Sequence, residues 1–134
     1  MIPLDLERVT GIGGFFFRSQ DPAGLAQWYE DVLGINTVPK AYDEECWVQQ
    51  EGETVLAPLD PDSEMPGAPE RSWAINFRVD DLDAMAAQVR AAGAEVEIDP
   101  EDYPNGRFAW TADPEGNRIQ LWQPNVRPDE EERR

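Results

Sequence analysis

Residues 14–34 read GFFFRSQDPAGLAQWYEDVLG, and residues 74–93 read AINFRVDDLDAMAAQVRAAG. At a shift of 60, Phe17-Arg18 falls on Phe77-Arg78 and Asp21 on Asp81, while Gly34 and Gly93 agree at a shift of 59. Each stretch is a β-prone run, an acidic cap, an amphipathic segment and a glycine. In the first, Asp21 is a good N-cap and Pro22 suits the first helical position. Leu25, Trp28, Tyr29, Val32 and Leu33 then form one apolar stripe, and Gly34 stops the helix. In the second, Leu82, Met85, Ala86 and Val89 share a face before Gly93. Such a recurrence marks two copies of one supersecondary unit.

Three short strand-like runs follow each predicted helix: 35–40, 45–50 and 54–59 in the first half, and 94–98, 107–111 and 118–122 in the second. Glu51-Gly52 and Asp113-Pro114-Glu115-Gly116-Asn117 read as turns. Both halves therefore read strand, helix, strand, strand, strand. The segment 60–70, DPDSEMPGAPE, has three prolines and four acids and reads as a linker. The expected organisation is one domain over 1–134. Module one spans about 10–59, the linker 60–70, module two 71–123, and a charged tail 124–134.

Composition narrows the chemistry. The chain has 134 residues, 28 Asp plus Glu, 11 Lys plus Arg, a net charge of −17, no histidine, and Cys46 as its single cysteine. One cysteine excludes an internal disulfide framework and a Cys/His zinc site. Without an imidazole there is no Ser-His-Asp or Cys-His machinery. The charge argues against nucleic acid and anionic membranes as partners, since both are polyanions. No apolar run approaches the roughly 18 residues of a membrane span, and Met1 to Thr10 lacks a basic start and apolar core. A cytoplasmic location is the expectation.

The βαβββ pair resembles the glyoxalase / bleomycin-resistance / extradiol-dioxygenase superfamily, also called the vicinal oxygen chelate superfamily. Phe16-Phe17-Arg18-Ser19 with Asp21-Pro22, then Trp28-Tyr29-Glu30-Asp31-Val32-Leu33-Gly34, Val79-Asp80-Asp81-Leu82-Asp83 and Asp113–Asn117 with Ile119 and Leu121 carry the resemblance. It implies an α+β fold in which two tandem βαβββ modules form a curved, partly open, barrel-like mixed sheet around a cavity, with helices on the convex side. It also implies a homodimer.

The resemblance places metal ligands on the first, fourth, fifth and eighth strands. Here those positions fall on Gly14, near Ala57, on Ala74 and on Gln120. Only Gln120 has a donor atom, and one amide oxygen does not hold a divalent ion. The expectation is therefore a member without the usual metal ligands, with no metal and no cofactor.

Strand alternation puts Phe16, Arg18, Asn76, Arg78, Arg118, Gln120 and Trp122 on the faces opposite the helices, and Trp47 joins them from a third strand. These eight are the candidate ligand-binding residues. Arg18 and Arg78, mates under the repeat, suit a carboxylate or phosphate clamp. The competing reading pairs each with one of the many acids. Phe16, Trp47, Trp110 and Trp122 suit a stacking surface for a planar or cationic ligand, although packing is the commoner use of tryptophan. No catalytic base stands out. Cys46 reads as a buried inert thiol.

Three functions are compatible with this pattern. The first is a metal-free protein that binds a small organic molecule in its cavity, similar to the drug-sequestering branch of the superfamily. The second is a superfamily lyase, isomerase or dioxygenase with an atypical metal site or metal-free chemistry. The third is an interaction module whose cavity its own side chains fill.

Overall fold

In the computed structural model of this chain, the residues described are 7–36, 41–62 and 72–125. They form, in order, α1 (Pro22–Leu33), β1 (Ile75–Arg78), α2 (Leu82–Ala91), β2 (Glu97–Ile98), β3 (Gly106–Ala112) and β4 (Arg118–Pro124). The fold is α+β. Among the described residues the strands form one sheet of order β1-β4-β3-β2, with β1 parallel to β4 and the other pairs antiparallel.

Both helices begin and end on local chemistry. Asp21 accepts from the Gly24 N–H at 3.1 Å, and Asp81 accepts from the Ala84 N–H at 3.0 Å. These carboxylates satisfy amides that a helix start leaves without partners. Gly34 takes φ +74°, the left-handed conformation that closes α1. The helices cover one face of the sheet. Leu82, Ala109, Ile119 and Leu121 are buried there, against Trp28, Tyr29, Leu33, Ile75, Phe77 and Met85. Along β3 and β4 the alternation holds, with Ala109 and Thr111 buried and Phe108 and Trp110 turned to the other side.

The second half is therefore the βαβββ unit its sequence predicts. The first half is not. Of its expected elements, only the helix forms among the described residues. The runs at 10–19, 45–50 and 54–59 carry no strand pairing among the described residues. The run 35–40 and the linker 60–70 lie largely outside the described residues, as does the tail beyond Asn125. Of the expected two-module curved sheet, one module is seen among the described residues: a four-stranded sheet from the second half, which is not closed. The physical reason is that β-propensity measures fit to a half-buried pleated surface. The first half has apolar runs, but among the described residues no strand pairs with them, and Phe16 is 92% exposed and Leu56 89%.

The first half is nonetheless tied to the second. In the turn 113–117, Asp113 Oδ1 accepts from the N–H groups of Glu115 (2.9 Å) and Asn117 (3.0 Å). Its Oδ2 accepts from Asn117 Nδ2 (2.7 Å) and from the Tyr29 hydroxyl on α1 (2.8 Å). Glu115 in turn accepts from Ser19 Oγ (2.7 Å) and from the N–H groups of Gln20 (2.8 Å) and Asp21 (3.2 Å). One turn thus grips both the start and the middle of α1. Between the helices, Gln88 Nε2 donates to the Val32 carbonyl at 2.6 Å.

Candidate functional site

The sheet face away from the helices is built from alternate residues of three strands. Register brings Trp110 and Asn76 to either side of Gln120, Phe108 and Arg78 to either side of Trp122, and Ala112 beside Arg118. A basin of about 340 Å³ lies on this face, lined by Asp99, Tyr103, Asn105, Phe108, Trp110 and Gln120. That volume lies at the lower end of small-molecule sites.

Aromatic packing makes its floor. The Phe108 and Trp122 rings are parallel within 3° at 6.2 Å between centroids, and Tyr103 meets Phe108 edge-on at 5.8 Å. Trp122 is a buttress rather than a surface. It is 6% exposed, and its indole N–H donates to the Asn105 carbonyl at 2.8 Å. The loop can lie this close because residue 106 is glycine: its φ is +131°, and a Cβ there would collide with the Gln123 carbonyl. At the lip, Asp99 accepts from the Glu101 N–H (3.0 Å) and the Tyr103 hydroxyl (2.8 Å), which hold its carboxyl below the usual carboxylate range. The same bond pushes Tyr103 up to about 12. The lip is therefore anionic at neutral pH.

The sequence-derived residues divide. Gln120 lines the basin, and Asn76 Nδ2 donates to its Oε1 at 2.7 Å. Arg118 is not part of the basin lining; it lines a neighbouring depression with Trp28, Glu95 and Asp113, and its guanidinium carbon stands 6.0 Å from the ring centre of Trp110, which does line the basin. Arg78 donates to the Gln50 carbonyl at 3.1 Å, so it anchors the 50–52 turn, while Arg18 stands exposed on the first-half segment. Phe16 lies out in solvent. Trp47 meets Phe77 edge-on at 6.3 Å, beside a ring that faces the helices. A strand without a partner has no fixed face, which is why alternation misplaced Phe16 and Trp47. Cys46 is exposed rather than buried. Asp99, Tyr103, Asn105 and Phe108 were missed. Alternation along Arg107–Thr111 puts Phe108 beside Trp110 on the basin face, and that signal was available. The loop residues had none, because no period governs a loop.

The donor set does not fit the divalent ion of the superfamily. Ala74 offers no donor atom, Gly14 lies off the sheet, and the Gln120 oxygen already accepts from Asn76. Among the described residues, no three His, Cys, Asp or Glu converge. Nor is any helix there long and apolar enough to cross a membrane.

The class these features define is an α+β scaffold with helices on one sheet face and an aromatic basin on the other. A glyoxalase-like domain model matches residues 14–122, and the chain belongs to that family, within the vicinal oxygen chelate superfamily. It resembles the crystal structure of TnmS3, an antibiotic binding protein from Streptomyces sp. CB03234, with a TM-score of 0.62 and 25% identity over 90% of this chain and 100% of that one. Over 61 residues it is 46% identical to CFP32 of Mycobacterium tuberculosis and Mycobacterium bovis, which carries a glyoxylase name; this covers 45% of this chain and 23% of CFP32. It is 37% identical over 70 residues to the anthracycline biosynthesis protein DnrV of Streptomyces peucetius, covering 52% of this chain and 25% of DnrV. The matched segments thus span about a quarter of those curated relatives.

Proposed function

We propose that this chain binds a small planar organic molecule in the basin on Phe108 and Trp110, without a metal. The observation that carries the reading is the aromatic floor, rigidified by Trp122 and rimmed by Gln120 and the anionic Asp99. Stacked and edge-on rings favour a flat π-system, and the polar rim orients it. The likeness to an antibiotic binding protein supports the reading. A polycyclic anthracycline is the probe. Tryptophan quenching and a raised melting temperature are expected on titration, with Trp110→Ala weakening binding by about tenfold. Neither quenching nor a thermal shift with the native chain at the solubility limit of the probe would overturn it.

The glyoxylase name of CFP32 favours a second reading, an enzyme of the superfamily. Elemental analysis separates the two, since a stoichiometric divalent metal on which turnover depends would establish the enzyme. We also propose that the chain works as a homodimer. The outer edge of β1 has no ladder partner among the described residues, and the apolar first-half runs lie open. A second copy would supply the missing strand partners and complete the two-module sheet.

A further inference from the structure

Arg118 is the first residue of β4 and sits at the opposite end of the sheet face from Asp99. The Asp99 N–H bonds the Phe108 carbonyl, whereas Arg118 pairs with Ala112. Four residues along β3 separate the two, roughly 13 Å at strand spacing. Its guanidinium carbon is 6.0 Å from the Trp110 ring centre. Its Nε is buried without a hydrogen-bond partner, and the guanidinium makes no ion pair among the described residues. That is unexpected in a chain with 28 acids and 11 bases. The two acids nearest to hand do not pair with it. Glu95 and Asp113 line, with Arg118, Trp28, Ala94 and Ala112, a second depression that shares no residue with the basin and meets it across Trp110. Asp113 is committed to four other donors, and Glu95 is exposed. The buried Nε is out of reach of a ligand, so an acceptor that arrives from outside would meet the terminal nitrogens of this guanidinium, which no ion pair among the described residues occupies.

We propose that Arg118 is a specificity-determining residue of the basin, and that it reads an oxyanion, a carboxylate or an ionised phenol, on the edge of the bound planar ligand. The inference rests on the proposed basin. The ligand stacks at Phe108 and Trp110, its acidic edge lies at the Arg118 end, and its donor groups lie at the Asp99 end. A planar carboxylate meets the guanidinium fork through two parallel N–H···O bonds, a geometry open to arginine and not to lysine.

The test is a matched probe pair, anthraquinone-2-carboxylate and anthraquinone-2-carboxamide, titrated into the full chain by tryptophan quenching. A charge-assisted bond predicts that the carboxylate binds about ten- to a hundredfold more tightly than the amide. Arg118→Met should bring that ratio to about one, and Arg118→Lys should restore part of it. Equal affinities in the native chain would overturn the role of Arg118 and leave the basin standing. So would an unchanged ratio in a folded Arg118→Met protein. Binding of neither probe to the native chain would overturn the basin itself. The ratio in the native chain decides the matter even where a variant fails to fold.

Discussion

Tyr29 does two jobs with one side chain. Its ring packs on Trp28, Phe17 and Phe77, and its hydroxyl donates to Asp113. Burial first, and then that bond, raise its pKa well above the ordinary tyrosine value of 10.0. A tyrosine freed by unfolding ionises near that value, so the unfolded chain loses its proton there while the folded chain keeps it. The stability this provides is complete below pH 10 and is lost as the pH rises further. Tyr29→Phe should cost about 1 kcal/mol at pH 7, since Asp113 keeps three other donors. Above pH 10 the gap to the native chain should narrow. Chemical denaturation at pH 7 to 11 measures both. Tyr103, pushed up to about 12, adds a slope of the same sign, so Tyr103→Phe supplies the baseline. A gap that stays constant with pH would remove Tyr29 as its source.

At the scale of elements, what was legible depended on where the information lay. The starts of both helices could be read because caps are local: Asp21 and Asp81 each bond an amide three residues on. The second-half strands could be read because Ala109, Thr111, Ile119 and Leu121 alternate with residues of the other face. The first-half runs have the same kind of alternation, yet pairing is a property of two segments, and nothing within Glu45–Gln50 names its partner. Trp47 therefore stands beside Phe77 rather than on the basin face, while Gln120 lies on that face between Trp110 and Asn76. The turn 113–117 was legible as a turn but not as a joint, because its grip on Ser19, Gln20 and Asp21 spans more than ninety residues. The joint gives an element-scale prediction. Glu115→Gln keeps the shape but turns an amide nitrogen toward donors, leaving one or two of them unmet. Because the Gln20 and Asp21 donors are exposed and water can take the lost acceptor's place, it should cost about 0.5–1.5 kcal/mol and speed hydrogen exchange at Gln20 to Gly24, with the protection of α2 unchanged. Exchange rising equally in both helices would mean a global loss of stability rather than a released joint.

For the whole molecule, the charge of −17 and the open apolar runs pull in opposite directions. Val48 is 87% exposed, and Phe16 and Leu56 are as open, so a single copy leaves apolar surface that a second could cover. Two copies also bring two like charges together, and that repulsion is long-ranged only at low salt. The screening length is about 30 Å at 0.01 M and about 3 Å at 1 M ionic strength. Apolar burial is not weakened by that screening. If a second copy covers the first-half runs, association should strengthen as sodium chloride rises. Light scattering behind a sizing column should then move from the 15.1 kDa of one chain toward twice that mass. Leu56→Glu should hold the protein at the single-chain mass at every salt concentration, because it adds a charge where apolar surface must meet. A hydrophobic contact and a salt-bridged one give opposite trends, since added salt dissolves the latter. A mass that falls with salt would assign the interface to ion pairs. A single-chain mass at every concentration would leave the β1 edge and the first-half runs uncovered, and the proposed dimer would be lost with it.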